Sequence, residues 1–340
     1  MSETRNTGVI ETARAHAVRS AVPVWLALVF AGVCGALVAV QSRVNGELGD
    51  RLGDGFAAAA ISFGSGLAIL FATLALWRPG RVGLRRVVVA VRERRLSWWM
   101  LLGGCAGAFL VLSQGLTAVA LGVALFTVAI VAGQTISGLV LDLTGIAPGG
   151  KRRLTVPRVI GAVLALGAVG WAVSAQLPGG VPFWMLVTPF LAGLGIGWQQ
   201  AVNGRVKAVA GSAMSATLVN FLSGTIVLVV ATLVHSMVVG WPDRLPSEPW
   251  LYVGGAIGCV FIAGAALLVR ITGVLLLGLA TIAGQLIAAL ALDLLVPSVS
   301  HPVGFSTVAG TMLTLVAVIV ASVPWRRPGV NATSSGKHSV

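Results

Sequence analysis

The stretches QSRVNG at residues 41–46 and QQAVNG at residues 199–204 carry the same pair of side-chain amides, Gln41 with Asn45 and Gln199 with Asn203. Four residues apart on a helix, the two amides of each pair share one face. Each amide offers donors and an acceptor without carrying charge. Such groups suit contact with a polar solute or a gate on its path; they also suit the end of a helix, where Asn-Gly commonly turns left-handed. A second polar strip follows each pair: Ser62 with Ser65, and Asn220 with Ser223, beside Gly66 and Gly224. These fit helix packing or a pathway wall. Gln134 and Gln285 each follow a glycine near the middle of an apolar run, and Asp142 and Asp293 lie near the ends of the same runs. A carboxylate in an apolar run points to ion pairing or to proton coupling. For Asp142 the expected partners are Lys151 to Arg153. No serine or cysteine stands beside a usable histidine, and no glycine-rich loop precedes a lysine, so no enzyme chemistry is expected. No cofactor or metal is expected either, and Cys34, Cys105 and Cys259 read as small packing residues.

Composition fixes the setting of these residues. The 340 residues are 57% hydrophobic and 10% charged, with mean hydropathy +0.96, whereas soluble domains carry about 25% charged residues. A helix needs about 20 mostly apolar residues to cross a bilayer. Ten such runs are expected at roughly 24–42, 55–77, 98–118, 120–143, 156–176, 183–203, 213–239, 250–269, 272–296 and 303–323. The lipid bilayer is thus the first expected partner. The net charge of +13 does not imply nucleic acid, because 20 of the 23 basic residues fall in alternate connections and at the two ends. That pattern sets orientation and favours contact with anionic lipid. Both tails, 1–23 and 324–340, are expected on the cytoplasmic side.

The chain also repeats itself. At an offset of 158 there are ten identities in the thirty pairs from Gln41/Gln199 to Leu70/Leu228, including Asn45/Asn203, Phe63/Phe221 and Gly66/Gly224. At an offset of 151 there are seventeen in the forty-five pairs from Trp99/Trp250 to Leu143/Leu294, including Gly103/Gly254, Gly107/Gly258, Gln134/Gln285 and Asp142/Asp293. The seven-residue change reflects a longer, arginine-rich linker at 78–97. Each half, 24–176 and 177–323, holds five expected spans. An odd number inserts the second half from the opposite side, giving inverted repeats, an architecture common in secondary transporters. Gln41 and Asn45 then face one mouth of a pathway, and Gln199 and Asn203 the other. Gln134 and Gln285 approach a central cavity near mid-depth.

The motifs VQSRVNGELG (40–49), SFGSG (62–66) and AGQTISGLVLDLTG (132–145), with their echoes WQQAVNGRV (198–206), NFLSGT (220–225) and AGQLIAALALDLL (283–295), resemble the drug/metabolite transporter (DMT) superfamily, specifically its YdcZ-like branch. The resemblance covers about residues 25–323. It implies an all-α, EamA/DMT-like integral membrane protein of ten helices that exports small metabolites across the inner membrane by alternating access. On matching positions it implies a pathway lined by Gln41, Asn45, Gln134, Gln199, Asn203 and Gln285. Two positions depart from the pattern: Arg43 replaces a small residue, and no glycine follows Asp293 as Gly145 follows Asp142. No acid occurs in the first span, which disfavours an exporter driven through a glutamate there. The competing expectations are a non-transporting scaffold or accessory subunit, and a flippase of a lipid-linked head group. The substrate, the coupling ion and a homodimer stay open.

Overall fold

The computed structural model describes residues 23–146, 155–174, 182–296 and 304–322, and every regular element among them is helical. In order these are α1 (Val24–Leu52), α2 (Gly55–Leu76), α3 (Arg78–Arg92), α4 (Gly103–Leu121), α5 (Val123–Thr144), α6 (Val156–Ser174), α7 (Phe183–Ala210), α8 (Ala213–Val239), α9 (Gly254–Leu295) and α10 (Phe305–Ser322). Short 3-10 turns, Trp98–Leu102 and Pro249–Tyr252, lead into α4 and α9. Among the described residues six segments are long and apolar enough to cross a membrane: Val24–Leu52, Gly55–Leu76, Trp98–Leu121, Val123–Leu141, Ala213–Val239 and Leu277–Leu295. Large apolar side chains cover the outside, as with Ile226, Val230, Leu233, Val234 and Met237 along α8. In water such a face would need cover; in lipid it needs none. The fold is that of an all-α integral membrane protein.

Three expectations change. First, the amide pairs do not end their helices. α1 runs on through Asn45 and Gly46 to Leu52, and the left-handed residue is Gly53 (φ 61°); α7 passes Asn203 and Gly204 and ends before Gly211 (φ 64°). The next helix starts at once in each case: Asp54 Oδ1 accepts from Phe56 N and Ala57 N (2.8 and 3.1 Å), and Ser212 Oγ accepts from Ser215 N (3.3 Å). Second, the arginine-rich linker contains a helix, α3, whose Gly80, Gly83, Val87 and Ala90 recur every three or four residues and are buried.

Third, the expected eighth and ninth spans are one element, α9. It is not straight. Gly264 lies against Cys34 Sγ while Gly35, the next residue of α1, lies against Thr281 O. A straight helix would hold residues 264 and 281 about 25 Å apart. α9 therefore folds back on itself between these contacts, and its two arms take the places of the two expected spans. α4 and α5 form the matching hairpin, reversed at Gly122 (φ 75°).

Each hairpin clasps the first long helix of the other half. α7 lies between α4, where a Cβ on Gly195 would meet Ala106, and α5, where one on Gly193 would come within 2.2 Å of Ile130 O. α1 lies in the same way between the arms of α9. The glycines are what let these backbones approach so closely. α2 and α8 pack on each other at the centre around Phe63 and Phe221, among Leu70, Leu74, Val111, Leu218 and Leu228. α6 and α10 pair at the edge, with Gly161 against Ala317 O and Ala321. At one end of the bundle Arg51 donates to Glu47 (2.9 Å) and to Glu248, tying α1 to the connection before α9. A hydrogen bond from its own backbone, reinforced by Arg51, holds the Glu248 carboxyl below its ordinary range. The expected partners of Asp142, Lys151 to Arg153, lie outside the described residues, as do the Asp142 side chain and, Pro23 apart, both expected tails.

Candidate functional site

The amides of α1 and α7 face the glycine-rich starts of α9 and α4. A Cβ on Gly258 would stand 2.9 Å from Gln41 Nε2, and one on Gly107 would stand 2.7 Å from Gln199 Nε2. A Cβ on Gly254 would stand 2.2 Å from Asn45 Oδ1, and one on Gly103 would stand 2.8 Å from Asn203 Oδ1. Ser62 and Asn220 complete the two groups: a Cβ on Gly255 would meet Ser62 O at 2.2 Å, and one on Gly104 would meet Asn220 O at 1.8 Å. Six of the expected residues thus gather into two matched clusters, each between one half's first two helices and the opposite half's hairpin.

The hydrogen bonds inside the clusters differ. In the second, Asn220 Oδ1 accepts from both Gln199 Nε2 (2.8 Å) and Asn203 Nδ2 (3.0 Å). In the first, serine takes the place of Asn220 and cannot reach. Gln41 Nε2 instead donates to Gly254 O (2.9 Å), and Asn45 Nδ2 donates to Gln114 Oε1 (2.7 Å), whose Nε2 donates to Ser42 Oγ (2.9 Å). Two oxygens there, Asn45 Oδ1 and Ser62 Oγ, are buried without a hydrogen-bond partner among the described residues. Leaving such an oxygen unpaired costs about 1–3 kcal/mol. Both point at Gly254, where a Cβ would lie 2.2 and 2.9 Å from them.

This arrangement belongs to a known group of membrane proteins. The model of the family described as "Putative inner membrane exporter, YdcZ" matches residues 26–171 and 184–320. The chain belongs to the YdcZ family. No curated protein matches it. Membership in this exporter family, with the apolar helices described above, makes the chain a multi-pass membrane protein of transporter type rather than one of an enzyme family.

Within this YdcZ-family chain the remaining expected residues are placed as follows. Gln285 is buried and Gln134 half-buried, and neither side chain bonds another described residue. The glycines before them bring each helix onto the opposite half: Gly284 meets Gly32 O of α1, and Gly133 meets Phe190 O of α7. Asp293 is buried, and its carboxylate caps α5, accepting from Val123 N (2.9 Å) and Ala124 N (2.7 Å). The exposed peptide N–H groups at a helix start favour a negative group at that place. His235, at the end of α8, stacks on Phe56 with ring centroids 4.4 Å apart, its Nε2 3.8 Å from Asp54 Oδ1.

Sequence reading passed over Gln114 and Ser42. Gln114 has alanine, Ala265, as its counterpart at an offset of 151, so comparing the halves gives it no weight. Its one signal was an amide set in an apolar run, where an unpaired polar group is expensive.

Proposed function

We propose that the protein is a secondary transporter that exports a small polar or amphipathic metabolite by alternating access, with two five-helix halves inserted in opposite senses and both termini cytoplasmic. The observation that carries this reading is the reciprocity of the packing: Gln41 meets Gly258 as Gln199 meets Gly107, and Gly66 meets Phe221 as Gly224 meets Phe63. Contacts in which each residue meets its partner's counterpart are those of a two-fold relation. Two halves related in this way have two mirror-related arrangements of equal kind, one open to each side. The uncharged amides lie where the halves meet, so rocking about Phe63 and Phe221 exposes one cluster while closing the other. Asn45 Oδ1 is an acceptor with no internal partner, and it suits a hydroxyl or ammonium donor on the solute. Gln134 and Gln285 supply further amides that bond no other described residue. Asp293, engaged as a helix cap, acts in positioning α5 rather than in carrying protons.

A non-transporting scaffold is the second reading. It draws on the Ser42–Gln114–Asn45 chain, whose three side chains are fully buried and bond mainly one another. Purified protein in liposomes, screened with pooled metabolites with and without a pH gradient, separates the two. Saturable flux supports the transporter; no flux of any solute under either condition supports the scaffold.

A further inference from the structure

Helix α3 and the α7–α8 junction enclose a groove of about 860 Å³, lined by Arg78, Arg81, Arg85, Arg86 and the backbone of Ala210 and Gly211. A smaller recess of about 380 Å³ continues along α3 past Val89 and Arg95 to Val209. We propose that this groove is a binding site for the phosphate headgroup of an anionic phospholipid in the leaflet on that side. The inference does not depend on transport.

The groove is built rather than incidental. Gly80 and Gly83 dock α3 on the start of α8, where Ser215 Oγ donates to Gly80 O (2.7 Å) and leaves no room for a side chain on Gly83. Arg81 Nη1 donates to Leu74 O (3.3 Å) and to Ala75 O, the last carbonyls of α2, which fixes its guanidinium at the groove's edge. Arg86 lies over Gly211, its Nη1 2.8 Å from where a Cβ would begin, and the left-handed turn of Gly211 (φ 64°) keeps that surface bare.

The charge there is uncompensated among the described residues. Among the described residues no carboxylate pairs with Arg78, Arg85 or Arg86, and Glu93, the nearest acid in sequence, is taken by Arg95. Guanidinium groups present paired N–H donors that match two phosphate oxygens at once. Side chains repelling one another in this way call for an anion between them.

Depth decides which anion. The groove begins where the apolar helix α2 stops, and Leu76 and Trp77 at that stop, with Trp98 in the turn after α3, are exposed. Tryptophan collects at the level of lipid headgroups. Val82 and Val89, which line the two recesses beside the arginines, are exposed as well, so the groove offers apolar surface next to its cationic groups. A free phosphate would use only the arginines. A phospholipid uses both, laying its acyl chains along the valines.

Native mass spectrometry of the detergent-purified protein with added phosphatidylglycerol or phosphatidylcholine tests this. Phosphatidylglycerol should stay bound and phosphatidylcholine should not. Arg85→Gln should weaken retention roughly fivefold, and Arg85→Gln with Arg86→Gln about 30-fold. The pair Arg85→Lys and Arg86→Lys keeps charge and orientation but loses the paired donors, so it should bind less lipid than the native protein. Arg244→Gln, in the connection beyond the far end of α8, should bind as the native protein does. Equal retention of the two lipids, or full retention by both double variants, overturns the proposal. Displacement of phosphatidylglycerol by millimolar inorganic phosphate overturns it too, reassigning the groove to a free anion.

Discussion

Phe63 and Phe221, which occupy equivalent positions 158 residues apart, pack against each other with ring centroids 4.8 Å apart and planes tilted by 31°. The two rings belong to one buried cluster with Leu70, Leu74, Val111, Leu218 and Leu228. Around it the same glycines recur: Gly107 touches both Phe63 and Gln199, and Gly258 touches both Phe221 and Gln41. The apolar centre and the polar clusters are thus parts of one packed unit.

The unequal hydrogen bonding of the two clusters makes their stabilities separable. Asn220 holds two amide N–H groups, so Asn220→Ala should lower stability by about 2 kcal/mol, followed by thermal unfolding in detergent. Ser62 Oγ has no partner, so Ser62→Ala loses no hydrogen bond, relieves a buried unpaired oxygen and should raise stability by about 1 kcal/mol. Equal losses at both positions would show that the clusters are not bonded as described.

Gly104 and Gly255 should be intolerant of even one methyl group. A Cβ would fall 1.8 Å from Asn220 O in the first case and 2.2 Å from Ser62 O in the second, with backbone on both sides. Gly104→Ala and Gly255→Ala should each cost about 3 kcal/mol or prevent accumulation of folded protein. Gly138→Ala, with nothing within 4 Å, should be harmless. Size-exclusion profiles of the three variants provide the comparison.

Asp293 separates capping from proton coupling. Asparagine has one acceptor oxygen where the carboxylate uses two, so Asp293→Asn keeps one of the bonds from Val123 N and Ala124 N and should retain both flux and its pH profile. Asp293→Ala should lower stability by about 1–2 kcal/mol. A stable Asp293→Asn variant that has lost only its pH-driven flux would make the carboxylate a proton carrier.

Gln134→Ala and Gln285→Ala should each abolish flux in liposomes while leaving membrane insertion and unfolding temperature near those of the native protein. Neither amide has a bond within the described residues to lose. Undiminished flux in both variants would assign them to helix packing.

Much of this was legible in the sequence, and the failures have physical causes. Hydropathy marks where a chain lies in hydrocarbon, not where its helix stops; α1 therefore passed unnoticed through Asn45 to Gly53, although Gly53 followed by Asp54 is an end signal and a start signal side by side. Seven arginines hid α3, though its buried Gly80, Gly83, Val87 and Ala90 keep helical spacing. Repetition revealed Gln41 and Gln199 because both halves keep them, and it concealed Gln114 for the opposite reason. The carboxylate of Asp293 read as a membrane-edge group because its partners, two peptide N–H groups 170 and 169 residues away, carry no side-chain signature.

The opposed insertion of the halves underlies the whole account, and Asp50 and Ala208 test it most directly. They are exposed, equivalent at an offset of 158, and close to the ends of α1 and α7. With Cys34, Cys105 and Cys259 replaced by alanine, Asp50→Cys and Ala208→Cys would be treated with a membrane-impermeant maleimide. The account predicts that Asp50→Cys reacts in intact cells and Ala208→Cys only after the membrane is opened. Reaction of both from the same side would contradict it.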